Sequence, residues 1–218
     1  MRSTPTFLDS AILGLDQLLR TATGQPPRPS AAPPREAREI PGPPPAPLPT
    51  PARTRSIRLM RVNHAGEVAA QALYQGQAAV ARDADTRQAL LAAGDEERDH
   101  LEWCETRLKE LGGTTSLLTP WWYAGSLAIG AAAGLAGDRW SLGFVAETER
   151  QVEEHLSEHL ARLPGADERS RRILEQMQED EIRHGREAME AGGTALPAPV
   201  RGLMTAVAKV MTRTAYWL

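Results

Sequence analysis

The chain has 218 residues, 41% of them hydrophobic and 24% charged, enough for one well-buried core but hardly for two. A formal net charge of −3, with no basic run interleaved with aromatics, gives no electrostatic basis for a nucleic-acid partner. The single cysteine, Cys104, excludes an intrachain disulfide framework and fits a reducing compartment; beside Trp103 on a helix it reads as a plain buried thiol.

In chain order, residues 1–24 read as a short amphipathic helix, with Phe7, Leu8, Ile12, Leu15, Leu18 and Leu19 at helical spacing. No basic n-region precedes an uninterrupted apolar core, and Asp9 and Asp16 count against a transit peptide. Residues 25–54 hold most of the proline, including Pro43-Pro44-Pro45, and read as an extended, disordered linker. One domain is expected over residues 55–218.

Periodicity there predicts a first helix over Ser56–Arg82, burying Leu59, Val62, Val68 and Leu73, and a second over Asp85–Leu111, ended by Gly112-Gly113. Third and fourth main helices are predicted over Asp138–Leu163 and Asp167–Ala191, the last closed by Gly192-Gly193 as the second is by its own glycine pair. Asp85 and Asp167 each suit an N-cap. The doubling of helix pairs and stops points to duplication of a two-helix unit.

Between the pairs, residues 117–137 carry no charge, meeting the length of about 20 residues for a membrane span. A single crossing would put one helix pair on each side of the bilayer. The segment is therefore expected either to lie shallowly in a membrane face, with Trp121, Trp122 and Tyr123 at the interface, or to be buried along the bundle or in a dimer contact. At the carboxyl terminus Val200, Leu203, Met204, Val207, Val210, Met211 and Trp217 recur at helical spacing, with Arg201, Lys209 and Arg213 on the remaining surface. Such a helix can lie on an anionic membrane or cap the bundle.

The chemistry is carried by two tetrads, Glu97-Arg-Asp-His100 and Glu181-Ile-Arg-His184, each preceded by a lone glutamate, Glu67 and Glu149. Residues three apart share a helix face, so each tetrad projects a carboxylate and an imidazole together. The midpoints of the two glutamate pairs fall at Arg82 and Gly165, both in turn-like stretches. Two antiparallel hairpins then set Glu67 level with Glu97 and Glu149 level with Glu181. Face-to-face packing of the hairpins would collect all six in one bundle core, the ligand set of a dinuclear iron or manganese site. The expected fold is all-α: a ferritin-like four-helix bundle with an apolar crossover helix and a C-terminal amphipathic helix. Four hard carboxylates and two imidazoles suit iron or manganese rather than structural zinc or calcium. Two irons are preferred, because a reduced pair can bind O2 and supply two electrons. Hydroxylation, desaturation, radical generation and ferroxidase or peroxide chemistry all remain open to such a site.

Arg61-Val-Asn-His-Ala-Gly-Glu67, Ala72-Leu-Tyr-Gln-Gly-Gln77, Glu97-Arg-Asp-His100, Glu147-Thr-Glu149 and Asp180-Glu-Ile-Arg-His184 together resemble the demethoxyubiquinone hydroxylase family of ubiquinone biosynthesis. The likeness covers residues 55–218 and includes the apolar insert and the terminal helix. It implies a peripheral membrane di-iron monooxygenase that hydroxylates a 2-polyprenyl-3-methyl-6-methoxy-1,4-benzoquinol, with O2 as co-substrate and NADH or another reductant as electron source. The family's catalytic metal ligands carry over to Glu67, Glu97, His100, Glu149, Glu181 and His184, with Glu97 and Glu181 as bridges, Glu67 and Glu149 terminal, and one histidine on each iron. Glu147 is the rival for the place of Glu149, but it sits about 200° away around the helix axis.

The same resemblance implies a membrane surface as partner, at the cytoplasmic face of a bacterial inner membrane, and leaves association with other ubiquinone-biosynthesis proteins and with a second copy open. No Gly-rich nucleotide-binding turn is present. Asn63, one turn before Glu67, is a secondary candidate for bonding a ligand or substrate. His155 and His159 suit either proton carriage or a solvated helix face, and Asp99 and Asp180 suit partners of the ligand imidazoles; His64 points away from the Glu67 face. Two other readings share these residues: a ferritin-like ferroxidase or iron-binding protein, and a non-catalytic, membrane-associated quinone- or lipid-binding subunit.

Overall fold

A computed structural model of the chain describes residues 38–218. The helix expected at 1–24 and the first part of the 25–54 stretch lie outside the described residues. Among the described residues there are six helices and no strands: α1 (Thr50–Val80), α2 (Ala84–Leu111), α3 (Thr119–Leu135), α4 (Asp138–Arg162), α5 (Glu168–Glu190) and α6 (Ala198–Trp217). The α1–α2 and α4–α5 hairpins form the bundle, α3 crosses between them, and α6 follows. This is the all-α, ferritin-like arrangement expected.

α1 begins inside the stretch read as linker. Pro51 lies in its first turn, where a missing N–H has no intrahelical partner to lose and the fixed φ is already helical. Residues 38–49 are irregular yet not detached: Ile40 and Leu48 pack on the main core, and the Trp103 Nε1–H donates to the Arg38 carbonyl at 3.1 Å. Disorder was the wrong expectation for this part, because proline disfavours helix without preventing a few apolar side chains from finding the bundle.

The hairpin turns fall where the glutamate midpoints place them. Asp83, not Asp85, caps α2, accepting from the Thr86 N–H at 2.8 Å, since only a side chain just outside the helix reaches the free N–H groups of its first turn. Asp167 caps α5 as expected, accepting from Ser170 N–H at 3.1 Å. Gly112 (φ 70°) and Gly192 (φ 103°) end α2 and α5 in the left-handed region. The next glycine bonds back in each case, Gly113 N–H to Leu108 O at 2.8 Å and Gly193 N–H to Ala188 O at 3.1 Å, so the duplicated stops are the same six-residue motif.

The main core joins both hairpins through Leu59, Trp103, Leu108, Leu156, Leu174 and Met177; burying each large apolar side chain contributes about 1.5–3 kcal/mol. At one end Arg107, almost fully buried, binds Asp167 at 2.8 Å, Ser170 Oγ at 2.9 Å and Glu110 at 2.9 Å, locking the end of α2 to the start of α5.

The apolar crossover has two faces. Tyr123, Gly130 and Gly134 are buried on α1, and backbone meets backbone: a Cβ on Gly130 would stand 2.2 Å from Leu73 O, and one on Gly76 would stand 2.2 Å from Leu127 O. Trp121, Ile129 and Leu135 lie on the other face, exposed. No helix among the described residues is long and apolar enough to cross a membrane. α6 packs on α1 through Ala215, against Val62 and Ala65, and leaves Leu203, Val207, Val210 and Trp217 exposed. The Leu117 N–H donates to Leu218 O at 3.0 Å, so the exposed ends of α3 and α6 adjoin.

Candidate metal centre

Four helices bring the six predicted residues to one depth in the bundle: Glu67 from α1, Glu97 and His100 from α2, Glu149 from α4, Glu181 and His184 from α5, all buried. Ligand atoms of Glu67, Glu97, His100 and Glu181 lie within 4.8 Å of one another. Both imidazoles turn Nδ1 inward. His100 Nδ1 is 2.8 Å from Glu97 Oε2 and 3.3 Å from Glu181 Oε1, while His184 Nδ1 is 2.9 Å from Glu97 Oε1 and 3.6 Å from Glu181 Oε2. Each of these two carboxylates thus gives one oxygen to each histidine. Glu67 Oε2 approaches only His100, at 3.7 Å, and Glu149 accepts from the Tyr74 hydroxyl beside Glu181.

The cluster is acidic and buried, which favours protons that balance its charge. Burial, reinforced by the charges of Glu97 and Glu181, pushes the Glu67 carboxyl up to about 8. Burial followed by Glu181 and Glu97 raises Glu149 well above the carboxylate range. Burial alone would lower both imidazoles. The Glu97 charge and the nearby Asp180, Glu181 and Glu67 carboxylates instead raise His100 well above its ordinary value, and the adjacent Glu181 and Glu97 carboxylates bring His184 up to about 11. Glu97 is held below the usual range by the two imidazoles against its own burial.

Several inward atoms nevertheless have no hydrogen bond: Glu67 Oε2, Glu97 Oε1, Glu181 Oε2 and His184 Nδ1. His184 Nδ1 and Glu97 Oε1 are close but not aligned on each other. Buried polar groups are normally satisfied, and lone pairs aimed at a shared centre are what metal ions satisfy. The donor set, four carboxylates with two imidazoles, fits iron or manganese.

The outer nitrogens are held in a crossed pattern. His100 Nε2 meets Asp180 Oδ2 at 3.1 Å, and His184 Nε2 meets Glu96 Oε2 at 3.3 Å. The residue before each tetrad glutamate therefore serves the histidine of the other tetrad. Asp180 fills the expected role for His100, and for His184 the partner is Glu96 rather than Asp99. Glu147 turns to Arg150 at 2.6 Å and Gln151 at 2.7 Å, leaving the inward place to Glu149.

Asn63 does not bond a candidate ligand; its Oδ1 meets His159 Nδ1 at 2.8 Å, tying α1 to α4. His159 is buried and its ring lies 3.8 Å from that of His155, so neither occupies the solvated face that isolated helix histidines favour. His64, also buried, stands apart from the cluster, near Glu105 and Lys109. Tyr74 and Glu96 escaped the sequence reading, although Tyr74 lies two helical turns after Glu67 and so on its face.

A cavity of about 410 Å³ opens between α4 and α5, lined in part by Glu149, Glu181, Ile182, Met189, Leu196 and Arg201. It is large enough for a substituted ring and reaches two of the clustered carboxylates. Gly185 faces Glu149 on this side, where a Cβ would stand in ordinary contact with Glu149 Cβ, at 3.5 Å.

The family model described as Ubiquinone biosynthesis protein COQ7 matches residues 54–218. The chain belongs to the COQ7 family. Among its COQ7 relatives, a protein of Nitrosococcus oceani named 3-demethoxyubiquinol 3-hydroxylase is 54% identical over 97% of this chain and 96% of its own length. One of Paraburkholderia xenovorans with the same name is 54% identical over 97% of this chain and all of its own length. A third, of Cupriavidus necator, is 65% identical over 72% of this chain and 76% of its own.

Proposed function

We propose that this COQ7-family chain is a hydroxylating oxidoreductase that adds one oxygen atom to the ring of a 2-polyprenyl-3-methyl-6-methoxy-1,4-benzoquinol, with O2 as co-substrate and two irons as cofactor. One observation carries the reading: six buried residues, four of them with an unsatisfied inward atom, converge in a chain 54% identical, over 97% of its length, to a protein named for this reaction. Glu97 and Glu181 would bridge, each already offering an oxygen to both histidines. Glu67 with His100 and Glu149 with His184 would complete the two halves.

Iron held there supplies O2 activation and electrons, chemistry that no side chain of the cluster can supply. One oxygen atom would enter the ring C–H and the other leave as water, with two electrons and one proton from a reductant such as NADH and the second proton from solvent. The α4–α5 cavity is the place for the ring, beside Glu149 and Glu181. Tyr74, whose hydroxyl burial and the Glu149 charge keep protonated, remains a donor that fixes the Glu149 carboxylate. Met189, Leu196 and Ile182 supply the apolar wall against which the ring would lie.

Arg201 places the start of α6 at the cavity, and from there Leu203, Val207 and Val210 form an exposed apolar track for an isoprenoid tail. Trp121 (75% exposed), Leu203 (66%) and Trp217 (65%) belong at a lipid interface, where aromatic and apolar side chains are favoured. Arg201, Lys209 and Arg213, exposed on α6, suit anionic headgroups. This supports a peripheral site on a membrane, the cytoplasmic face of a bacterial inner membrane being the one consistent with a reducing compartment.

The test is anaerobic loading with Fe(II), then labelled O2 and a short-chain demethoxyubiquinol, with product mass as readout. A product heavier by one labelled oxygen is expected. Iron oxidation with the quinol untouched would replace this reading with a ferroxidase, and absence of both iron binding and turnover would leave a non-catalytic subunit.

A further inference from the structure

The two outer carboxylates are not held alike. Glu96, which meets His184 Nε2, is fixed by Arg183 at 2.7 Å, and Arg183 is the residue just before His184. The duplicated position just before His100 is Asp99, an acid that cannot fix a second carboxylate. Asp180, which meets His100 Nε2, is instead held by Arg38, whose guanidinium lies 2.7 Å from the same Oδ2 that faces the imidazole. Arg183 adds a longer contact to the other oxygen, at 3.3 Å.

Arg38 stands before residue 54, where the family match begins, yet it is anchored at both ends. Its carbonyl accepts from Trp103 Nε1 and its guanidinium lies 5.0 Å from the Trp103 ring centroid, within cation–π range. Trp103 is one turn beyond His100 on α2, with ring centroids 5.4 Å apart. Arg38, Asp180, His100 and Trp103 therefore close a ring of contacts around one imidazole.

We propose that Arg38 is a positioning residue of the centre, supplying from outside the bundle the cation that the first tetrad lacks just before its histidine and thereby fixing Asp180 against His100. The inference rests on the dinuclear reading. Its effect is confined to the half of the centre containing His100 and Glu67, since the Glu96–His184 pair has its own arginine. Partners of ligand imidazoles fix ring orientation, and losing one typically costs about 10–100-fold in metal affinity.

The experiment is an anaerobic Co(II) titration of the full chain, followed by visible absorption, with Arg38→Met, Arg38→Lys and the unaltered protein in parallel. Methionine keeps an apolar stem over Trp103 and removes the charge. The expected result is two ions bound by the unaltered protein, one of them weakened about 10-fold or more in Arg38→Met, the other unchanged, and most of the loss recovered in Arg38→Lys. Two ions bound by Arg38→Met with undiminished affinity would overturn the proposal. Equal weakening of both ions, together with a lower melting temperature of the metal-free variant, would also overturn it by making Arg38 a fastening of the fold. Failure of the unaltered protein to take two ions would instead sink the dinuclear reading beneath it.

Discussion

Glu147 and Glu149 show how two residues of one type, two positions apart, are divided by helix geometry. Glu147 is tied to Arg150 and Gln151 at the cavity edge, while Glu149 points inward to Tyr74 and Glu181. Glu149→Gln should abolish turnover and loosen one metal, whereas Glu147→Gln should leave two ions bound and cost less than 10-fold in activity; a metal analysis with turnover on both variants checks this, and equal losses would contradict the assignment. All six clustered residues were legible in the sequence, because i, i+3 spacing and mirrored glutamates follow from helix period and hairpin symmetry alone. Glu96 and Arg38 were not. A carboxylate beside a motif looks like any solvated acid until the neighbouring helix supplies its imidazole. An arginine in a proline-rich stretch carries no periodic signal at all. The histidines of α4 were left open for a related reason, since Asn63, which satisfies His159, comes from a helix 96 positions away.

Helix caps and crossings set how those residues meet. Arg107 joins α2 to the N-cap of α5 with both partners nearly free of solvent. Removing it leaves Asp167 as a buried, uncompensated charge, so Arg107→Ala should destabilise the metal-free protein by about 3–5 kcal/mol. Chemical denaturation measures this, and a change below about 1 kcal/mol would show that the pair is not locked as the structure has it. The six helices and both hairpin turns were readable from periodicity and turn residues. Less so were the helix starts: Asp83 and Asp85 are equally good caps by type, and only the geometry of the first turn separates them. The packing of α3 was undecided in sequence because an uncharged stretch satisfies lipid and protein alike. The glycine stripe meets α1, and the opposite face bearing Trp121 and Leu135 is exposed.

For the molecule as a whole, the site taxes stability when metal is absent. Glu67 titrates in the folded chain at about 8 and His184 at about 11, both above their ordinary values, so the folded chain holds more protons than the unfolded one. That contribution is complete below about pH 4.5 for Glu67 and 6.5 for His184, and is lost as pH rises through about 8 and 11. His64 and His155, lowered by burial to about 4, are neutral in both states above pH 7 and do not offset it. Melting of the metal-free protein should therefore fall between pH 7 and 9, while the metal-loaded protein, whose ligands have already released their protons, should show little or none of this fall. The exposed faces of α3 and α6 predict co-sedimentation with anionic phospholipid vesicles, weakened by Trp121→Ser combined with Leu203→Ser and by high salt; binding that ignores both changes would place the contact elsewhere. The central claim is that two hairpins build one centre from six residues, bridged by Glu97 and Glu181. X-ray absorption of the Fe(II)-loaded chain tests it most directly: two irons per chain with a metal–metal separation of about 3.5–4 Å are predicted, and a single iron with no neighbouring metal would contradict it.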